Sequence, residues 1–270
     1  MMKFAWIAGR HIDATTARAN DAKVSTLEFR RSFDVAAAFV GLTVCAPVLA
    51  AAMVAVWFSD GGAPLFFQAR VGKDGLPFRL VKLRTMVVGT GRCGTNSTAA
   101  DDPRLTRVGR WLRANKLDEL PQLWNILVGD MALVGPRPQI ESEVQRYTEA
   151  ERGLLALRPG MTDFASIVFA DESAILRYSD DPDRDYDLLI RPWKSGLGLY
   201  YVTVRSVGLD LALIVLTIAV CVWRPLGLRG LSWLLRRLDA PDDLVMVARR
   251  DQPLRAVTPP IPLSAPVSWP

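Results

Sequence analysis

The feature that most constrains this chain is the run Val35 to Phe58, 24 residues without a charge, interrupted only by Gly41, Thr43 and Pro47. It meets the length criterion for a membrane helix, since at 1.5 Å per residue it reaches ~36 Å. Pro47 divides it into pieces of 12 and 11 residues, each only ~17 Å or about half a bilayer. Two readings follow: one kinked span, or a helix-break-helix that enters and leaves the same leaflet. The flanks do not separate inside from outside. Arg18, Lys23, Arg30 and Arg31 precede the run, while Arg70, Lys73, Arg79, Lys82 and Arg84 follow it, so both ends can face the cytoplasm.

Residues 1–29 contain no apolar run of signal-peptide length after the basic start, and Ala50-Ala51-Ala52 is followed by six further apolar residues, so neither secretion nor cleavage is expected. Cys45, Cys93 and Cys221 form no CxxC pair, which excludes a disulfide framework or a four-cysteine zinc site. His11 is the single histidine, and its absence elsewhere removes most Ser-His-Asp, Cys-His and His-metal chemistry. Catalysis must lean on carboxylates. From Arg70 to Lys116 eleven Lys/Arg face three acids, Asp74, Asp101 and Asp102, so this segment wants an anionic partner. Nucleic acid fits poorly, because only Phe78 and Trp111 are available there for stacking and a membrane segment adjoins.

Leu65 to Val71 and Phe78 to Leu83 read as strands joined at Asp74-Gly75 in a tight hairpin. Residues 87–103 read as a mobile loop; Gly89-x-Gly91-x-x-Gly94 within it lacks the following amphipathic helix of a dinucleotide site. Helical spacing of Leu120, Leu123, Trp124 and Leu127 places Asp118 and Glu119 at a helix opening, with Pro121 in its first turn. Leu211 to Trp223 is too short for a comfortable span and reads as a buried or interfacial helix. Leu228, Leu231, Leu235 and Leu238 beside Arg229, Arg236 and Arg237 resemble a membrane-surface helix, and residues 251–270 a disordered Pro-rich tail. The acid-rich stretch Ser179 to Asp187 fails the calcium-loop pattern, since Leu188 falls at the required glycine.

The chemistry concentrates between Asp102 and Pro138. A carboxylate can attack phosphorus only where the phosphoryl charge is neutralised, by arginines and a divalent cation. Arg104, Arg107, Arg110 and Arg113 run into the acid pair Asp118-Glu119, and Gly135-Pro136-Arg137-Pro138 is a rigid turn presenting a planar fork. Without histidine or clustered cysteine, a hard oxygen-liganded ion such as Mg²⁺ is the natural metal. The bland alternatives are a helix-dipole acid pair, a solvated arginine face and a plain connector.

These blocks resemble the bacterial sugar transferases, monotopic phosphoglycosyl transferases acting on a polyprenyl phosphate carrier. The resemblance rests on Arg31-x-x-Asp34, Phe67-Gln68-x-Arg70-Val71-Gly72, Lys82-Leu83-Arg84-Thr85-Met86, the run Asp102-Pro103-Arg104 to Arg113, Leu117-Asp118-Glu119-Leu120-Pro121-Gln122, Val134 to Pro138, Pro159 to Ile167 and Tyr200-Tyr201-Val202. It covers roughly Arg30 to Trp223. Leu83, Ala132 and Lys116 depart from the usual pattern, and no counterpart to the multi-span N-terminal extension of some relatives is expected.

The resemblance implies a mainly α fold with a small β-hairpin: a flexible segment 1–29, a re-entrant membrane helix 30–60, a catalytic domain with interfacial helices 61–223, and a basic amphipathic helix with a disordered tail 224–270. It implies transfer of a sugar 1-phosphate from a UDP-sugar to undecaprenyl phosphate, with Asp118 as nucleophile and UMP released. Glu119 and Asp118 would hold Mg²⁺; Arg113 and Arg137 would bind phosphate, with Lys82, Arg84 and Arg107 as weaker candidates. The enzyme would sit in the inner membrane, facing the cytoplasm, in contact with lipid; self-association to a homodimer stays open. A nucleotide-sugar hydrolase and a non-catalytic scaffold that holds anionic lipid or a partner on the basic segment are the alternatives.

Overall fold

The computed structural model describes residues 14–89 and 97–256, with 14–26 as backbone only. His11, Cys93, Gly91, Gly94 and most of the Pro-rich tail lie outside the described residues. Helix α1 (Ala14–Asp60) continues on both sides of Pro47, so the two expected pieces form one helical element. Its uncharged residues carry few polar competitors for the backbone, and a proline removes one hydrogen bond without ending so long a helix. Strands β1 (Leu65–Val71) and β2 (Pro77–Leu83) pair antiparallel, Leu65 opposite Leu83 and Val71 opposite Pro77. Their connection is longer than the expected tight turn: Gly72 N donates to Leu76 O at 2.8 Å around a 3₁₀ turn, with Asp74 and Gly75 both at positive φ.

Helix α2 (Arg107–Ala114) starts at Thr106, whose Oγ1 accepts from Gly109 N at 2.8 Å. Helix α3 (Gln122–Val128) ends at Gly129, φ 99°. Strand β3 (Ala132–Val134) pairs in parallel with β4 (Gly160–Thr162). Short helices α4 (Glu141–Val144), α5 (Phe164–Val168), α6 (Glu172–Ile175) and α7 (Pro182–Asp185) then lead to α8 (Arg191–Val204), α9 (Val207–Val222), α10 (Arg224–Arg237) and α11 (Asp242–Arg249).

The main core joins Phe164, Ile167, Leu197 and Tyr201 to Leu213, Leu231, Leu235 and Leu244. Residues of α10 and α11 therefore share one core with α5 and α8, and the boundary drawn at 223/224 crosses it. Leu228, Leu231 and Leu235 are buried against protein, which corrects the reading of this stripe as a membrane-facing one. The stripe is the buried face of an amphipathic helix, and α11 supplies its cover through Leu244, Val245, Val247 and Ala248. The uncovered apolar side chains lie elsewhere. On α1 they include Phe39, Val44 and Phe58, and on α9 Leu211, Val215, Ile218 and Val222, a stripe at helical spacing. Trp111 on α2 and Trp124 on α3 are also exposed, one on each side of the acid pair in sequence.

Two smaller cores fasten α1 to the body. Ala38 and Leu42 pack with Leu80, Leu123 and Ile126; Ala52 and Val56 pack with Leu83 and Leu112. The acid-rich stretch from Ser179 is a capped turn: Asp181 accepts from Arg184 N at 3.1 Å and Ser179 donates to Asp185 at 2.6 Å.

Candidate active site

The acid pair sits in the link between α2 and α3. Lys116 adopts a left-handed conformation, φ 58°, which turns the chain out of α2 and into a 3₁₀ turn, Leu117–Glu119. Asp118 and Glu119 thus precede α3 by a turn, one step earlier than the expected helix opening. Asn125 of α3 ties this link to the hairpin. Its Oδ1 accepts from Val81 N at 2.9 Å, and its Nδ2 donates to Arg79 O at 2.7 Å.

Behind the acids, Gly135 and Gly160 let two segments touch: a Cβ on Gly160 would stand 2.0 Å from Gly135 N. Gly135 N donates to Thr162 O at 2.9 Å and Gly160 N to Pro136 O at 3.0 Å. This lacing fixes Pro136-Arg137-Pro138. Arg137 Nη1 donates to Glu119 Oε2 at 3.1 Å while Nη2 donates to Oε1, a bidentate ion pair. Burial works to raise Glu119, but the charge and hydrogen bonds of Arg137 outweigh it and hold that carboxyl down at about 2. Glu119 in turn holds the Arg137 guanidinium above its ordinary range.

Asp118 is in the opposite condition. It is buried, yet no hydrogen bond or ion pair engages its carboxylate among the described residues. Burial, and then the charge of Glu119, push its carboxyl above the ordinary range against the pull of Arg113, Lys82 and Lys116. Arg113, on the last turn of α2, has a buried Nη1 without a partner among the described residues. Such a donor calls for an acceptor that the protein itself does not supply. Lys82, on β2, lies with Nζ 5.2 Å from the Phe66 ring centroid, and burial, then Arg113 and Arg70, lower it to about 8.

Of the expected residues, Asp118, Glu119, Arg113, Arg137 and Lys82 come together. Arg84 does not join them. It clasps Asp60 with Nη1 and Nη2 at 2.5 and 2.6 Å and donates to Ala63 O and Met86 O, so its fork is spent on fastening the end of α1. Arg107 is exposed at the start of α2, ~9 Å along the helix from Arg113. Arg104 pairs with Asp102 at 2.6 Å, and Arg110 is exposed.

Sequence reasoning missed Arg70, although it stands in the recognised run from Phe67 to Gly72. Its Nη1 donates to Pro138 O at 3.2 Å and its buried Nε has no partner among the described residues; burial, then Arg137, lower it to about 10. Lys194 and Glu172, an ion pair beside Tyr186, were also missed, and no spacing in the sequence marks them. With Asp163, whose Oδ1 caps α5 by accepting from Ser166 N at 2.7 Å, Lys194 and Tyr186 line a cavity of about 40 Å³ next to Arg137.

The family model described as bacterial sugar transferase matches residues 25–224. A UDP-galactose-lipid carrier transferase of Erwinia amylovora is 39% identical over 158 residues, 53% of this chain and 33% of that protein. An undecaprenyl-phosphate glucose phosphotransferase of Komagataeibacter xylinus is 35% identical over 196 residues, 70% of this chain and 35% of that protein. An exopolysaccharide production protein of Sinorhizobium fredii is 40% identical over 148 residues, 49% of this chain and 66% of that protein. The chain thus spans about a third of the length of the first two relatives. The match covers every residue of the acid cluster, and the chain belongs to the bacterial sugar transferase family.

Proposed function

We propose that this protein transfers a sugar 1-phosphate from a UDP-sugar to undecaprenyl phosphate, releasing UMP, through a covalent intermediate on Asp118. The observation that carries the reading is the asymmetry of the two acids: Glu119 is held by Arg137, whereas Asp118 is unengaged beside Arg113 and Lys82. In the first half-reaction an ionised Asp118 oxygen attacks the β-phosphorus. The bond from that phosphorus to the bridging oxygen breaks, and UMP leaves with the electron pair. In the second, an oxygen of the carrier phosphate attacks the acyl phosphate, frees the Asp118 carboxylate and forms the diphosphosugar. Arg113 and Lys82 offset the charge of the phosphoryl oxygens.

A Mg²⁺ ion belongs to this proposal. Among the described residues no group of three or more His, Cys, Asp or Glu side chains could hold a metal. One or two carboxylates completed by substrate phosphates and water is an ordinary Mg²⁺ arrangement, so Asp118 and Glu119 fit it. When bound, the ion adds charge neutralisation at the diphosphate.

We place α1 as a re-entrant helix in the cytoplasmic face of the inner membrane. Before the apolar run Arg30 pairs with Asp210 at 3.2 Å, Arg31 donates to Ile126 O and Leu127 O, and Asp34 accepts from Leu133 N. After it Asp60 is clasped by Arg84. Polar grips at both ends, with Ala38, Leu42, Ala52 and Val56 packed on the body between them, tie the whole apolar run to one folded unit, which supports both ends lying on one side of the membrane. The exposed stripe of α9 would lie in the interface.

The test is nucleotide release by protein in nanodiscs with Mg²⁺, undecaprenyl phosphate and a panel of UDP-sugars. UMP supports the reading. UDP would mean glycosyl transfer and would remove the role given to Asp118; UMP formed at the same rate without the carrier would favour hydrolysis.

A further inference from the structure

A cavity of about 840 Å³ opens between residues 27–34 of α1, just before its uncharged run, β3, the segment 156–158 and the start of α9. None of its lining residues belongs to the acid cluster around Asp118. Its walls are of two kinds. Arg30, Arg158 and Arg205 are cationic, while Leu133, Leu211 and Ile214 are apolar. Five Lys/Arg side chains line it against the three acids Glu28, Asp34 and Asp210. Asp34 and Asp210 already accept hydrogen bonds, from Leu133 N at 3.2 Å and from the Tyr201 hydroxyl at 2.6 Å.

The cations are less well satisfied. Arg30 reaches Asp210 through Nη1, yet its buried Nε has no partner among the described residues. No hydrogen bond or ion pair engages Arg158 or Arg205 among the described residues. Of the three, Arg30 holds a buried donor, while the exposed Arg158 and the half-buried Arg205 keep their guanidinium groups available to an anion from outside the chain. The volume far exceeds a free phosphate, and the apolar wall continues along α9 through the exposed Val215 and Ile218.

We infer that this cavity seats the phosphate headgroup of an anionic glycerophospholipid between Arg30, Arg158 and Arg205, with an acyl chain lying along α9. The inference rests on the membrane placement proposed above but not on the chemistry at Asp118. The carrier substrate is the poorer occupant, because its phosphate must reach Asp118 and no residue of that cluster lines the cavity. The lipid would pin the start of α1 to α9, beside the Arg30 and Asp210 pair.

The test is native mass spectrometry of the detergent-released full chain with equimolar dioleoyl-phosphatidylglycerol and dioleoyl-phosphatidylcholine. Phosphatidylglycerol should be retained at least about tenfold over phosphatidylcholine. Arg158→Gln with Arg205→Gln should abolish that preference while changing UMP release less than about twofold. Arg158→Gln alone, at an exposed side chain, keeps the fold and should give a partial loss. Equal retention of the two lipids, or a preference untouched by both variants, overturns the inference. So does displacement by millimolar inorganic phosphate, which marks a free-anion site, or displacement by undecaprenyl phosphate with a raised KM in the double variant, which marks the acceptor site. Carbonate extraction of wild-type membranes reads the membrane placement separately.

Discussion

Arg137 grips both oxygens of Glu119, and the carboxylate next to it, Asp118, is left without a hydrogen bond among the described residues. One acid of the pair is thereby fixed as an anion and the other kept available. Division of labour between adjacent carboxylates by their surroundings is a general route to reactivity.

Removing the fork should uncouple the pair. Arg137→Lys keeps a positive charge but loses the bidentate geometry, and turnover should fall by about 10²-fold, comparable to deleting one preorganised donor. Steady-state UMP release, with circular dichroism to confirm the fold, is the check. Unchanged turnover would remove Arg137 from the site.

The pH profile of UMP release should be bell-shaped. In the proposed reaction Asp118 attacks as an anion, and its carboxyl lies above the ordinary range, so the acid limb should fall at a pH above that of a free aspartate. Lys82, at about 8, would meet the phosphate as a cation in that reaction and should set the alkaline limb. Lys82→Arg should move the alkaline limb upward while leaving the acid limb in place.

Stability should respond to acid through Glu119. Its folded value, about 2, lies below its ordinary value, so its stabilisation is full above the ordinary carboxylate range and is lost as pH falls toward 2. Thermal midpoints in detergent measured between pH 5 and 2.5 should fall less in Glu119→Gln than in wild type.

Asn125→Leu should destabilise the protein by about 2–4 kcal/mol, because Val81 N and Arg79 O would lose their partners in the interior. Gly109→Ala should do at least as much, since its Cβ would stand 2.0 Å from Thr85 O. Thermal melts in one detergent, read beside activity, check both.

The hairpin, α1, α3 and the cluster of Asp118, Glu119, Arg113 and Arg137 were legible because strand alternation, an uncharged run and arginines beside an acid pair are local signals. What failed was long-range. Nothing near Arg84 announces that Asp60 will take its fork, and nothing in the leucine stripe of α10 says that α11 will cover it. The left-handed Lys116, which places the acids in a 3₁₀ turn, is likewise a backbone choice that its lysine side chain does not advertise.

The proposed re-entry of α1 has its own check. With Cys45, Cys93 and Cys221 replaced by alanine, Glu28→Cys and Ser59→Cys should both react with a membrane-impermeant maleimide only after the cytoplasmic side is exposed. Reaction from opposite sides would make α1 a span.

The most direct measurement is the mass of the Asp118 peptide after brief incubation with a turned-over UDP-sugar in the absence of undecaprenyl phosphate. A sugar-phosphate adduct on Asp118, stoichiometric with UMP, discharged by the carrier and absent in Asp118→Asn, is the expected result. Turnover that persists in Asp118→Asn, or UMP released in a first turnover with no adduct at that residue, would contradict the covalent route.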